Sequence, residues 1–121
     1  MKIYIGHSSN LEYEEELYEP LKNSVLEKVH RMIFPHESTE FSNSKKFLKN
    51  DCDLFIAEVS RASTGLGIEL GWADQFDVPI ICVCYKDAQP SEALKTVTGS
   101  IIRYKNKNEL VEKLDRKIPE L

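Results

Sequence analysis

Glu69 is a lone acidic residue that follows a segment in which Ser63, Thr64, Gly65 and Gly67 are small, and before it an apolar strand, Leu54-Phe55-Ile56-Ala57-Glu58-Val59. Small side chains let a backbone approach a ligand with its N–H groups outward. The spacing predicts a loop over Ser60 to Gly67 and puts Glu69 in the first turn of the helix that follows, at the mouth of that loop. A carboxylate beside backbone donors suits stabilising, or covalently trapping, a sugar carbon as an oxocarbenium ion develops. The plainer alternative is that Glu69 complements the positive end of a helix dipole. Other chemistries lack their signatures. There is no Walker motif, Gly65-Leu66-Gly67 is not a full GxGxxG, and neither Ser8, Ser9 nor Ser63 sits in GxSxG.

Composition narrows the classes further. The 121 residues predict one domain over 1–121, with a single core. A net charge of −4 argues against a dedicated binder of nucleic-acid polymers, which needs a basic face. No apolar run approaches the roughly 20 residues that span a membrane, and the start reads as a strand rather than a signal peptide. Cys52, Cys82 and Cys84 are odd in number, and the last two share one strand face, so free thiols in a reducing cytoplasm are expected. No metal site is expected, because no CxxC is present and His7, His30 and His36 form no spaced pair with the cysteines. No cofactor is expected either.

Strands and helices alternate along the chain. Lys2 to Ile5, Arg31 to Phe34, the Leu54 run, Pro79 to Tyr85 and Gly99 to Tyr104 read as strands. A helical pattern reaches Val29 with Leu17, Tyr18, Leu21, Val25 and Val29 on one face; Pro20 either lies in a first turn or kinks a longer helix. Phe47 and Leu48 mark a short helix, Ser91 to Val97 a weak one, and Asn106 caps a last helix carrying Leu110, Val111 and Leu114. This βα alternation predicts a flavodoxin-like (Rossmann-like) α/β fold: five parallel strands in the order 2-1-3-4-5, with helices on both faces. Ligands then bind beyond the carboxyl ends of the strands. The loops converging there carry His7 and Ser8, His36 and Glu37, and Ser63 to Glu69. Trp72 and Phe76 read as packing or dimer contacts. Glu12, Glu14, Glu15 and Glu16 read as a solvated helix start, and His30, Lys105, Lys107 and Lys113 as structural or surface groups.

AEVSRASTGLGIELGWA, followed about ten residues later by PIICVC, resembles the nucleoside 2-deoxyribosyltransferase superfamily, most of all its 2'-deoxynucleoside 5'-monophosphate N-glycosidases. KIYIGHS, LYEPL and PHE fit the same pattern, so the similarity extends over most of the chain; the core is Gly65 to Gly71, GxGxELG. The resemblance implies that Glu69 attacks C1' of the sugar and releases the base. It implies that Ser63 and Gly65, with Gly67 in the same loop, hold a 5'-phosphate, and that Tyr4, Gly6 and His7 line the base and sugar pocket. His36 belongs to the converging loops. The chain lacks the family's proton-donating aspartate, whose position falls near Ser44 or Lys45 here, with Asp51, Asp53, Glu58 or His36 as candidate substitutes, and Ser63-Thr64 stands where the transferases carry an acid. Hydrolysis of a nucleotide is therefore expected over base exchange. A homodimer or higher assembly is an expectation of the same resemblance. IGHSSN and the EL-bearing helix also resemble a Toll/interleukin-receptor-type domain, some of which cleave NAD. A nucleotide-binding module without turnover is the non-enzymatic alternative.

Overall fold

The computed structural model describes residues 1–37 and 44–121. Five parallel strands, β1 (Lys2–His7), β2 (Arg31–Ile33), β3 (Leu54–Glu58), β4 (Ile80–Tyr85) and β5 (Ile101–Tyr104), form one sheet in the order β2-β1-β3-β4-β5. This is the flavodoxin-like order expected from the βα alternation. Register pairs Tyr4 with Phe55, Gly6 with Ala57 and His7 with Glu58 between β1 and β3.

The pleat sorts side chains into two cores. Ile3, Ile5, Leu54, Ile56, Ile81, Val83 and Tyr104 face α1 (Glu19–Lys22), α2 (Val25–Val29) and α5 (Lys107–Lys117). Tyr4, Phe55, Ala57, Ile80, Cys82 and Cys84 face α3 (Ser44–Asn50) and α4 (Thr64–Gln75). Cys82 and Cys84 thus share a face, and all three thiols are free. Burial pushes the Cys82 thiol up to about 12. Short 3-10 turns follow β2 (Pro35–Glu37) and β4 (Glu92–Thr96), the second in place of the expected weak helix.

Three local expectations change. The first helical stretch is broken: Glu14–Tyr18 winds as a wide π-type segment into α1, where Pro20 occupies the first turn, and Ser24 then caps α2 by accepting from the Leu26 N–H at 3.2 Å. That break shifts the helical phase, so Leu26 is buried while Val25 and Val29 are exposed. The loop predicted over Ser60 to Gly67 ends early: Ser63 caps α4, its Oγ accepting from the Leu66 N–H at 3.3 Å, so Gly65 and Gly67 are helical. Glu69 consequently lies in the second turn of α4, not the first. His7 closes β1 rather than opening a loop. Of the loop expected to carry His36 and Glu37, residues 38–43 lie outside the described residues. Among the described residues no helix is long and apolar enough to cross a membrane.

Candidate active site

Leu66, Glu69, Leu70 and Ala73 are the buried residues of α4, the i, i+3, i+4, i+7 stripe that a helix lays on a sheet. Glu69 therefore points inward, 7% exposed, at a position where an apolar residue belongs. The plainer dipole reading does not describe this geometry, because the carboxylate is turned to the sheet from the second turn.

Two hydroxyls meet the carboxylate. The Tyr4 phenol, from the middle of β1, donates to Glu69 Oε2. Ser44, buried at the start of α3, hydrogen-bonds Glu69 and lies 2.9 Å from the Tyr4 hydroxyl through its Oγ. Burial raises the Glu69 carboxyl above its ordinary range, and the Tyr4 and Ser44 hydrogen bonds oppose that rise. Burial and the Glu69 charge raise the Tyr4 phenol well above its ordinary value, so it stays protonated and donates throughout the physiological range. The Tyr4 ring stacks on Phe55 with centroids 5.2 Å apart. Phe55 in turn fills the space over Gly6: a Cβ there would lie 2.5 Å from Phe55 Cζ and 3.2 Å from Leu66 Cδ1. Gly6 is thus explained by packing inside the chain. Gly65 and Gly67 are not, since a Cβ at either would meet nothing within 4 Å.

His7 and His36 form a separate group. His7 is buried on the α1/α5 face; its Nδ1–H donates to the Ser8 carbonyl at 2.9 Å and its Nε2 accepts from the Tyr18 hydroxyl at 2.7 Å. The His36 backbone N–H donates to the same Tyr18 hydroxyl at 3.2 Å, and the two imidazoles lie 4.6 Å apart beside Tyr13. Burial lowers both histidines below their ordinary value, so both are neutral at pH 7. Of the expected site residues, the structure brings Tyr4 to Glu69 directly, packs Gly6 against Phe55, on which Tyr4 stacks, and places Ser63, Gly65 and Gly67 at the start of the helix that carries Glu69. His7 and His36 meet each other, not Glu69.

A second buried carboxylate–phenol pair lies on the opposite face. Glu58, 1% exposed, accepts from the Tyr104 hydroxyl and from the Ser60 N–H. Burial raises its pKa, and both hydrogen bonds oppose the shift. Tyr104, on β5, reaches across β4 to β3, a contact invisible before the strand order is known. It backs a cleft of about 470 Å³ whose rim includes Glu16, Arg61, Asp87 and Lys107. Of the substitutes considered for a proton donor, Glu58 is committed to this pair and Asp53 accepts from the Lys2 N–H at 2.8 Å, at the amino edge of the sheet. Asp51 is exposed at the end of α3. The Lys45 ammonium sits 5.5 Å from the centre of the Trp72 ring.

No protein-family model matches the sequence, and no curated relative does. Among solved structures, a CMP N-glycosidase of Clostridium botulinum superposes with a TM-score of 0.71 and 24% identity, over 95% of this chain and 99% of that one. A Burkholderia pseudomallei protein named for a relation to pilus assembly follows with a TM-score of 0.56 and 10% identity, over 96% and 87% of the two chains. These likenesses show the fold.

Proposed function

We propose that this protein is an N-glycosidase of a (deoxy)nucleoside 5'-monophosphate or related nucleotide, a member of the nucleoside 2-deoxyribosyltransferase superfamily, with Glu69 as nucleophile. The observation that carries this reading is the buried Glu69 carboxylate held by the Tyr4 phenol. Burial keeps its negative charge poorly solvated and hence reactive, while the hydrogen bond fixes its direction and opposes protonation. Attack on C1' forms a glycosyl ester and expels the base; water then hydrolyses the ester and returns the carboxylate. The same fold in a CMP N-glycosidase supports this chemistry.

The 5'-phosphate is assigned to the start of α4. Gly65 and Gly67 each cost the helix about 1 kcal/mol relative to Ala, although a methyl group would clash with nothing. Their use fits a ligand that comes close to the backbone at the helix start, where the first N–H groups precede any carbonyl partner within the helix. Ser63 contributes through its cap, which holds those N–H groups in place. The test is incubation with nucleoside 5'-monophosphates, nucleosides and NAD, with free base read by chromatography. Base should appear from monophosphates faster than from nucleosides, and Glu69→Gln should lose at least about a hundredfold in rate while still binding nucleotide. Binding without release of base from any compound would instead identify a nucleotide-binding module.

A further inference from the structure

We infer, taking Glu69 as the nucleophile, that the preferred substrate is the 5'-monophosphate of a ribosyl cation-base, a pyridinium or N-alkylated purinium N-riboside, whose base departs as a neutral molecule. Two observations around Glu69 lead there. Among the described residues, the groups that act on its carboxylate are the Tyr4 and Ser44 hydroxyls, and none of them is a cation that balances the buried charge. An ionised carboxylate out of water without a cationic partner is costly, and a positively charged ligand supplies that partner.

The second observation concerns protons. A neutral nucleoside loses its base as a poor, anionic leaving group unless an acid protonates it as the bond breaks. The Tyr4 proton is committed to the Glu69 carboxylate, and an aliphatic hydroxyl such as Ser44 does not ionise near neutral pH. His7 and Glu58 are engaged on the other face of the sheet, and His36 packs against His7. Among the described residues these groups therefore leave no acid committed to a departing base, and a base that is already cationic needs none.

The steps balance without any further reagent. A Glu69 oxygen forms a bond to C1' as the C1'–N⁺ bond breaks, and the electron pair of that bond neutralises the ring nitrogen. Water then attacks C1', the ester oxygen leaves as the Glu69 carboxylate, and the water's proton goes to solvent. One proton is released per bond cleaved. A neutral base departing from CMP or AMP takes up that proton, so net release is zero.

The experiment compares nicotinamide mononucleotide, N7-methylguanosine 5'-monophosphate, CMP, dCMP and AMP at equal concentration near neutral pH. Free base is read by chromatography, and protons by an indicator dye in weak buffer. General acid catalysis is worth about 10²- to 10⁴-fold, so the two cationic substrates should exceed AMP and CMP in kcat/KM by about that factor. Nicotinamide mononucleotide should release one proton per base, and Glu69→Gln should abolish both signals. If CMP, dCMP or AMP is cleaved as fast as the cationic compounds, the leaving-group inference is overturned while the N-glycosidase reading stands. If no base is released from any of the five, the N-glycosidase reading fails, and this inference with it.

Discussion

Replacing Tyr4 by Phe removes one hydroxyl and leaves the ring that stacks on Phe55. The lost interaction is a hydrogen bond to a buried charged group, worth about 1.5–3 kcal/mol. Its loss favours the protonated form of Glu69, which burial already favours and which Ser44 alone would then oppose. The carboxyl pKa, already above its ordinary range, rises further. The acid limb of the kcat/KM profile therefore moves to higher pH. On that limb the ionised fraction, and with it the rate, should fall by about 10- to 150-fold. On the alkaline side, where the carboxylate is ionised in both proteins, the variant should recover most of its rate. The assay is base release from the best substrate over about pH 5 to 9, with circular dichroism to verify folding. A uniform loss at every pH, or an unmoved acid limb, would refute the claim that Tyr4 controls the ionisation of Glu69.

Three further outcomes follow from the same geometry. Ser44→Asp places a second carboxyl beside Glu69; the two should share a proton at neutral pH, raising AMP and CMP turnover at least about tenfold relative to nicotinamide mononucleotide, and an unchanged ratio would show that an acid at position 44 does not serve the departing base. Gly6→Ala drives a Cβ into the Phe55 ring and should cost about 1–3 kcal/mol in urea denaturation, whereas Gly71→Ala, in open space within α4, should gain about 1 kcal/mol; equal effects would show that the space over Gly6 is not what constrains it. The Glu58 pKa is higher folded than unfolded, so its favourable contribution is full below the ordinary value of 4.5 and is lost as pH rises through the folded value; Glu58→Gln, whose amide can still accept from Ser60 and meet Tyr104, should flatten that fall in Tm, and an unchanged Tm-against-pH curve would show that Glu58 is not its source.

The sheet order was legible because it rests on a local pattern, apolar runs alternating with helical stripes, and Glu69 stood out as a candidate because it is an acid that closes a segment rich in small residues. The limits of α4 were not. Glycines suggest loop by propensity, but Leu66, Leu70 and Ala73 packing on the sheet outweigh them, and the Ser63 cap sets the start. The phase of α2 was misread because no periodicity survives the break that Asn23 and Ser24 introduce. The α4 stripe at 66, 69, 70 and 73 would have revealed the inward aim of Glu69 had the helix start been known. Tyr104 with Glu58, and His7 with Tyr18, join residues 46 and 11 apart. Such pairs follow from strand register and ring reach, which no local window contains.

Tyr4 belongs to a strand flanked on both sides by others, and its ring and that of Phe55 are almost wholly shielded from solvent. Sites assembled on loops open by small fluctuations that leave the rest of the molecule intact. Freeing Tyr4 from Glu69 by a backbone opening requires breaking the ladders of β1 with β2 and β3, which carry the centre of the fold. The amides of this strand belong among the slowest to exchange. In rising denaturant Tyr4 should then keep its place until the sheet itself gives way, so that any earlier loss of competence for chemistry would report α4 leaving the sheet with Glu69.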